Sequence, residues 1–462
     1  MDAIAPSRDA WVKKNRYYYD DLLKFLRFNI PEGSSVLEIG CGTGDVLNGV
    51  KPLKGLGIDI SSGMINIARQ KYPHLEFVQM DAERLCVNRI FDYIVISDTL
   101  GYFEDIQKVF MNLRKVSTSD TRIIITYHNF MWQPFLKISE YLKLKMPQPR
   151  LNWLNKGDII NLLILGGFEI IRTGNRFLLP KRIPVLAPLL NSYLSQLPLV
   201  RKFDIVGFII AKPVMIGPED NKLFSVSVII PARNEKGNVE NAVRRIPEMG
   251  SHTEIIFVEG NSTDGTANEI KRVCEKYSPI RDVKYLIQEG EGKGDAVRKG
   301  FAAARGDILM ILDADLTVEP EELPKFYNAI ATGKGEFVIG SRLVYPMEDE
   351  AMRTLNILGN KFFSLLFTFL LGQLIKDTLC GTKVLTKKNY ERLIINRNYF
   401  GDFDPFGDFD MIFGAAKLNL KFVELPIRYK SRRYGMTNIS RFRHGWLLLK
   451  MSSFAMNKIK FI

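Results

Sequence analysis

Short runs of β-branched and aliphatic residues recur along the chain, each followed by a turn and then by an amphipathic stretch. From Val36 to about Pro213 the runs SVLEIG, GLGIDI, LEFVQM, FDYIVIS and RIIITYH predict strands with helices between them. That alternation predicts a parallel sheet covered by helices. The segment AKPVMIGPEDNKLFS is polar, rich in turn formers and contains two prolines, so it reads as a linker. A second series starts at VSVIIPARNE and continues through TEIIFVEGNSTDGT, VKYLIQ, DILMILDADLT and EFVIGSR. The pattern predicts an α/β chain of two domains, residues 1–213 and 225–462, joined by residues 214–224. No internal repeat or low-complexity tract interrupts it.

Composition narrows the picture. A chain of 462 residues is expected to hold two or three domains. Its formal net charge of +13 favours anionic partners such as nucleotides, lipid phosphates or an acidic membrane surface. Nucleic acid is the poorer reading, because no nucleic-acid-binding motif accompanies the charge. Cys41, Cys86, Cys274 and Cys380 are scattered, with no CxxC, and read as reduced core thiols of a cytoplasmic protein. The N-terminal residues lack a continuous apolar core, so no secretory signal is expected. Nowhere do 18 apolar residues run uninterrupted, so no membrane span is expected.

The stretch VLEIGCGTGDVL joins a strand to a helix through Gly40, Gly42 and Gly44, which let the backbone turn sharply and approach a ligand. Asp45 breaks the G-x-G-x-x-G spacing of a dinucleotide site. What stands here, E-x-G-x-G-x-G from Glu38, resembles the cofactor motif of class I S-adenosylmethionine-dependent methyltransferases. Asp59 follows about 20 residues on, at the end of the next strand, where an acid reaches ribose hydroxyls in doubly wound sheets. Asp81 matches the position that contacts the adenine amino group in this family, and Ser97 and Asp98 match the cofactor's edge. The resemblance runs from about Pro31 to Pro213, with GFEIIRTGNRFLLP and FDIVGFIIAKP as a closing strand pair. It implies a Rossmann-like fold with S-adenosyl-L-methionine held by Glu38, Gly40, Gly42, Gly44, Asp59, Asp81 and Ser97. Methyl transfer can proceed by alignment alone. His128 and Tyr102 are candidates to assist it, or rim residues. The proline-broken, apolar KRIPVLAPLLNSYLSQLPLVRK either covers an acceptor or caps the sheet.

In DILMILDADLT an apolar strand ends in two acids, Asp313 and Asp315, with one residue between them. Two carboxylates about 4 Å apart near a surface repel by about 4 kcal/mol, so a positive species between them is expected. The series from about Ser225 to Ser440 resembles inverting family 2 glycosyltransferases of the GT-A fold, and more narrowly the polyprenyl-phosphate hexosyltransferases. IIPARNE supplies Pro231, Arg233, Asn234 and Glu235 at the nucleotide. VEGNSTDGT matches V-D-D-G-S-x-D-G-T imperfectly, with Glu259 for the first acid and Asp264 retained. GKGDAVRKG offers Lys293 to a diphosphate. The resemblance implies Mg²⁺ or Mn²⁺ at Asp313 and Asp315, bridging the diphosphate of a nucleotide sugar, with Asp313 also contacting the nucleotide. It places Arg342 near the donor or acceptor phosphate and Arg353 at the acceptor, and makes both, with Asp377 and Asp408, the candidate catalytic residues. KDTLCGTKV supplies Asp377, Gly381 and Lys383, and RRYGMTN supplies Arg432, Tyr434 and Gly435. A lipid-phosphate acceptor needs no general base, whereas a sugar hydroxyl does. Asp408, in FGDFDM, is the candidate base for that second case.

In LNILGNKFFSLLFTFLLGQLI, Asn356, Asn360, Ser364, Thr368 and Gly372 recur every four residues and form one polar stripe on a helix. The rest suits either an interfacial helix on lipid or a core helix. The C-terminal RFRHGWLLLKMSSFAMNKIKFI mixes basic and aromatic residues, as membrane-surface segments do. The expectation is a bifunctional enzyme, peripheral on the inner face of the membrane. It would use a nucleotide sugar donor, a polyprenyl-phosphate or glycolipid acceptor, and a methyl donor. Two alternatives stand beside it: a glycan hydroxyl as acceptor, or one domain acting as an inactive binding module.

Overall fold

The structure is a computed structural model. It describes residues 1–148, 151–214, 223–345, 354–395, 407–432, 434 and 441–460, and only the backbone at 354–358, 408 and 441–445. The chain divides into two compact units, one built on residues 1–216 and the other on 217–459.

The first unit is built on a seven-stranded sheet of β1 (Ser35–Ile39), β2 (Lys54–Asp59), β3 (Glu76–Gln79), β4 (Tyr93–Ser97), β5 (Arg122–His128), β6 (Phe168–Arg176) and β7 (Val206–Pro213). The spatial order is β3-β2-β1-β4-β5-β7-β6. Strands β1 to β5 pair in parallel, as the alternating pattern predicts. The closing pair departs from it, because β7 inserts between β5 and β6 and runs antiparallel to both. Alternation of side chains across the pleat builds two cores. Leu37, Ile39, Ile123 and Ile125 enter one, Val36 and Ile124 the other, and all are solvent-free.

The second unit holds another seven-stranded sheet: β8 (Val226–Ala232), β9 (Thr253–Glu259), β10 (Asp282–Ile287), β11 (Ile308–Ile311), β12 (Phe337–Ser341), β13 (Lys383–Thr386) and β14 (Phe422–Pro426). Its order is β10-β9-β8-β11-β13-β12-β14. Strand β13 is antiparallel to both β11 and β12, so the sheet is mixed. The hydrophobic pattern does not announce β13 or β14. The first is four residues long and opens on Lys383, whose ammonium is buried on Cys380 O at 2.6 Å, and the second ends on a proline.

The helix Thr354–Leu371 turns Asn360, Ser364 and Thr368 of its polar stripe inward. Asn360 is buried, and its Nδ2 donates to Asp377 Oδ1 at 2.8 Å. Ser364 Oγ donates to Ile375 O at 2.7 Å, and Thr368 Oγ1 accepts from Ile375 N at 3.1 Å. The outward side carries Phe362 and Leu365, exposed by 52% and 74%. This helix packs on the helix Arg441–Ile459, where Trp446 is also exposed. Among the described residues no helix is long and apolar enough to cross a membrane. The four cysteines are free thiols; Cys41, Cys274 and Cys380 are buried, while Cys86 is exposed, contrary to the expectation of a core thiol.

Candidate functional sites

In both sheets the strand order reverses next to the first strand of its series, between β1 and β4 and between β8 and β11. Open α/β sheets bind ligands in the crevice that such a reversal leaves at the carboxyl ends of the strands. The glycine loop follows β1 at one reversal, and Asp313 and Asp315 follow β11 at the other.

In the first unit Gly40, Gly42 and Gly44 all have positive φ. At Gly40 a side chain is excluded outright, because a Cβ there would lie 2.6 Å from Thr99 Cγ2. Asp59 holds the loop in place: its Oδ2 accepts from Gly42 N and its Oδ1 from Ser61 N, both at 2.9 Å. Glu38 lies beneath the loop, 2% exposed, and its Oε2 has no hydrogen-bond partner. Burial pushes its carboxyl well above the usual range, aided by Asp45 and Asp59. Asp81 caps a short turn, accepting from Glu83 N at 2.9 Å. Ser97 ends β4, and Thr99 just beyond it donates to Ile39 O at 3.1 Å, tying the two strand ends across the crevice.

Sequence reasoning missed the N-terminal helix Ala5–Lys14, which lies over the glycine loop. Thr43 Oγ1 donates to Asp9 Oδ1 at 2.8 Å, and Lys71 Nζ lies 2.8 Å from the same oxygen. Arg8 reaches the loop itself: a Cβ on Gly42 would stand 3.7 Å from its Nε. Its guanidinium sits 5.6 Å from the Tyr19 ring, with no carboxylate within 4 Å among the described residues. No motif marks Arg8, which precedes the glycine loop by a whole helix.

Asp98 and His128 adjoin the same crevice. Asp98 has φ +54°, accepts from Thr126 Oγ1 at 3.0 Å and receives the Tyr18 hydroxyl. His128 Nδ1 is 3.8 Å from Asp98 Oδ1. Burial lowers the imidazole pKa against the pull of Asp98, so the ring is neutral at neutral pH. Both residues line a cavity with Gly101, Leu151, Trp153 and Leu154. Tyr102 is half-buried, and burial raises its phenol above its ordinary value.

S-adenosylmethionine carries a carboxylate, an amine, a sulfonium and an adenosine. The crevice fits it: a cradle of three glycines at positive φ, a buried acid with one oxygen unpartnered, and an arginine with no carboxylate within 4 Å among the described residues.

In the second unit β8, β9 and β11 end side by side. Pro231 lies in β8, with exposed Arg233 just beyond it. Asn234, at φ +56°, accepts from Thr263 N at 2.8 Å. Glu259 turns back on its own loop, accepting from Ser262 N at 2.7 Å and Asn261 N at 3.1 Å. Asp264 Oδ1 accepts from Thr266 N at 2.9 Å. Burial would raise its carboxyl, but the bonds from Thr266 and Lys236 hold it below the usual range. Tyr434 OH donates to Asp264 Oδ2 at 3.3 Å.

Two positive groups lie on the paired aspartates. Lys293 Nζ is 2.5 Å from Asp313 Oδ1, and Arg432 bridges Asp315 Oδ2 at 2.7 Å and Glu235 Oε1 at 2.6 Å. Burial alone would raise the Asp313 carboxyl, yet Lys293, with Lys383 and Arg342 further off, keeps it below its ordinary value. Glu235 stays above its own: burial outweighs an arginine that it shares with Asp315. Thr317, two residues beyond the second aspartate, contributes as well, donating through N and Oγ1 to Asp315 Oδ1 at 3.1 and 2.8 Å.

Arg342 and Asp377 pair with each other. The guanidinium grips the carboxylate through Nε at 2.7 Å and a second nitrogen at 2.8 Å, and Arg342 N adds a third bond at 3.0 Å. Asp377 is fully buried and holds the arginine rather than facing the crevice. Asp408 begins a helix whose cap, Gly407, packs on Gly294 in the lysine loop: a Cβ on Gly294 would meet Gly407 N at 2.7 Å. Arg353 and Gly435 lie outside the described residues.

Among the described residues no group of three or more His, Cys, Asp or Glu could hold a metal by itself. Two carboxylates at a strand end still suit Mg²⁺, which is commonly bound by one or two acids together with phosphate oxygens and water.

The folds thus define a doubly wound cofactor-binding unit and a mixed-sheet unit of the nucleotide-sugar transferase type. Residues 11–173 match the profile of a methyltransferase domain, and residues 227–394 match that of glycosyl transferase family 2. The chain joins a methyltransferase domain to a family 2 glycosyltransferase domain. The second half is 30% identical to a dolichol-phosphate mannosyltransferase of Pyrococcus furiosus, over 49% of this chain and 64% of that one. It is 28% identical to a dolichyl-phosphate β-glucosyltransferase of Saccharomyces cerevisiae, over 47% of this chain and 71% of that one. It is 26% identical to the glycosyltransferase AglJ of Haloferax volcanii, over 48% and 69%. Matches to such relatives span between a third and about seven tenths of their length. A S-adenosylmethionine-dependent methyltransferase of Thermotoga maritima, described as a possible histamine N-methyltransferase, aligns to 46% of this chain at 17% identity and a TM-score of 0.38.

Proposed function

We propose that the second unit moves a hexose from a nucleotide diphosphate sugar to a polyprenyl phosphate, with inversion, and that the first unit is an active S-adenosylmethionine-dependent methyltransferase. The observation that carries the first reading is the cluster of Lys293, Arg432, Asp313, Asp315 and Glu235 at the reversal of the second sheet. A divalent ion at the two aspartates would supply charge neutralisation on the departing diphosphate. Lys293 and Arg432 are placed to turn from the carboxylates to the phosphates as the donor enters. Arg342, fixed by Asp377, presents its remaining edge as a rigid cation for a second phosphate. A phosphate acceptor brings its own negative oxygen, so the chemistry requires no base. The relatives named for dolichyl-phosphate substrates support this choice.

In the first unit Arg8 would take the methionine carboxylate and Glu38 the amine, while Asp59 holds the loop on which they converge. His128, neutral and beside Asp98, is the group positioned to receive a proton from a hydroxyl acceptor. The test is incubation with a panel of nucleotide sugars, Mn²⁺ and polyprenyl phosphates, read by mass spectrometry. A hexosyl polyprenyl phosphate that EDTA abolishes and that Asp408→Asn leaves intact is the expected product. Loss of transfer in Asp408→Asn would move the acceptor to a glycan hydroxyl.

A further inference from the structure

The first unit carries an apolar, basic apron beside its acceptor cavity. Two segments build it: residues 129–144, which follow β5, and residues 177–205, which connect β6 to β7. They are tied together where Asn129 Nδ2 donates to Lys202 O at 3.1 Å and to Asp204 O at 2.9 Å. Trp132 Nε1 donates to Phe203 O at 2.8 Å. Phe177 and Ile205 anchor the segments in a small core, while many of their other hydrophobic side chains are exposed. Phe135, Ile138 and Tyr141 are 62%, 56% and 88% exposed, and Val185, Leu197 and Leu199 are 82%, 49% and 75% exposed. Isolated exposed leucines are ordinary, but a contiguous apolar surface marks an interaction site.

The charge around the patch selects its partner. From Ile170 to Phe203 the chain has no Asp or Glu, yet it carries Lys181, Arg182, Arg201 and Lys202. In the other segment Lys137 and Lys143 stand beside a single acid, Glu140, which is spent on Lys145 at 2.8 Å. An apolar face with a rim of uncompensated cations suits a bilayer containing anionic lipid, where the apolar and Coulombic terms add. His128, which lines the cavity, immediately precedes the apron at Asn129.

We propose that the methyltransferase unit docks on an anionic lipid surface through residues 129–144 and 177–205, and that its methyl acceptor is carried in that surface. The docking stands on geometry and charge alone; the acceptor class rests on the first unit being an active methyltransferase.

The test uses the full chain with Cys86 replaced by serine, so that one introduced thiol carries an environment-sensitive dye. The dye is placed by Leu199→Cys in the apron or by Ile90→Cys, just before β4 at the opposite end of the strands. With phosphatidylcholine vesicles containing phosphatidylglycerol and a doxyl-labelled lipid, the dye at 199 is expected to shift to the blue and be quenched, and the dye at 90 to do neither. The double variant Val185→Glu/Leu199→Glu should lower vesicle affinity by roughly a hundredfold or more, the loss expected for two apolar side chains together with two added negative charges. The variant Lys181→Gln/Arg182→Gln/Arg201→Gln/Lys202→Gln removes most of the apron's cations and should reduce the salt dependence, with unchanged salt dependence counting against the docking. Both should bind S-adenosylhomocysteine as the parent does.

A dye at 199 that stays in water while vesicles bind the chain would overturn the docking. So would a blue shift that follows protein concentration without lipid, which would mean that a second copy covers the face. Incubation of labelled S-adenosylmethionine with a membrane extract separates the acceptor claim. Label in the lipid fraction is expected, label in a water-soluble product would overturn the acceptor class, and no label at all would count against the methyltransferase reading while leaving the dye result standing.

Discussion

The two units share a layout and differ in how they treat buried charge. In the second, three carboxylates face cations: half-buried Asp313 faces Lys293, buried Asp377 faces Arg342, and buried Glu254 faces Lys284 and Arg305. In the first, Glu38 and Asp204 are buried with side-chain oxygens that accept no hydrogen bond. Each crevice therefore waits for a different ligand. The second has cations in hand that a diphosphate can recruit from the carboxylates. The first has an acid without a cation and an arginine without a carboxylate, which suits a ligand bearing both an amine and a carboxylate.

The largest expected effect tests whether the units work independently. Asp313→Ala/Asp315→Ala should lower hexosyl transfer by about three orders of magnitude, the loss typical when a site's charge-stabilising groups are removed. Calorimetry on the same variant should find S-adenosylhomocysteine affinity unchanged, and a parallel loss would break the comparison. The recruited cations give a further expectation. Mn²⁺ alone should bind weakly, because Lys293 and Arg432 compete for the same oxygens, and a nucleoside diphosphate should strengthen its binding.

A smaller effect is expected at Gly381. A Cβ there would overlap Asp313 Oδ2 and come within 2.5 Å of Lys293 Nζ. Gly381→Ala should push the pair apart and cost about a hundredfold in transfer, as misplacement by about an ångström can. An unchanged melting curve and an unchanged rate would together show that the pair can move aside freely.

In the first unit Arg8→Ala should weaken S-adenosylmethionine binding by about 10- to 100-fold, the worth of one or two charged hydrogen bonds. Arg8→Lys should recover part of it, since the charge remains but the forked geometry is lost. Equal affinity in Arg8→Ala would assign the carboxylate to another group.

What could be read beforehand was whatever is local in sequence. Strands with β-branched runs, the glycine turn after Ile39 and the paired acids after Leu312 all announce themselves within a dozen residues. Contacts that the fold makes between distant segments do not. Arg8 meets the glycine loop, Tyr18 meets Asp98, and Arg432 meets both Glu235 and Asp315, and no spacing encodes any of these. Burial was equally hidden. Asp377 sits in a motif of catalytic appearance, yet its carboxylate is consumed by Arg342, Asn360 and backbone amides. The polar stripe from Asn360 to Thr368 has the spacing of a solvated face and is instead the face that anchors the loop ending at Asp377.

The smallest effect on chemistry and the sharpest test of the comparison is the sign of each unit's response to pH. Burial pushes the Asp204 carboxyl up to about 8 from an ordinary value of 3.8. The folded unit then holds a proton that the unfolded chain releases, so its stability is full below about pH 4 and declines as pH rises towards 8. Asp204→Asn should flatten that decline and stabilise the first unit at pH 7 by up to about 4 kcal/mol. Asp377 behaves in the opposite sense. Burial works against its charge, but Arg342 holds the carboxyl below its ordinary value, so its contribution is present above that value and lost as pH falls through the lowered one. Hydrogen exchange, read separately in β7 and β12 across the pH range, should show protection falling with rising pH in the first strand and with falling pH in the second. If both strands lost protection in the same direction, the unpaired acids of the first unit would have a partner, and the contrast between the two crevices would fail.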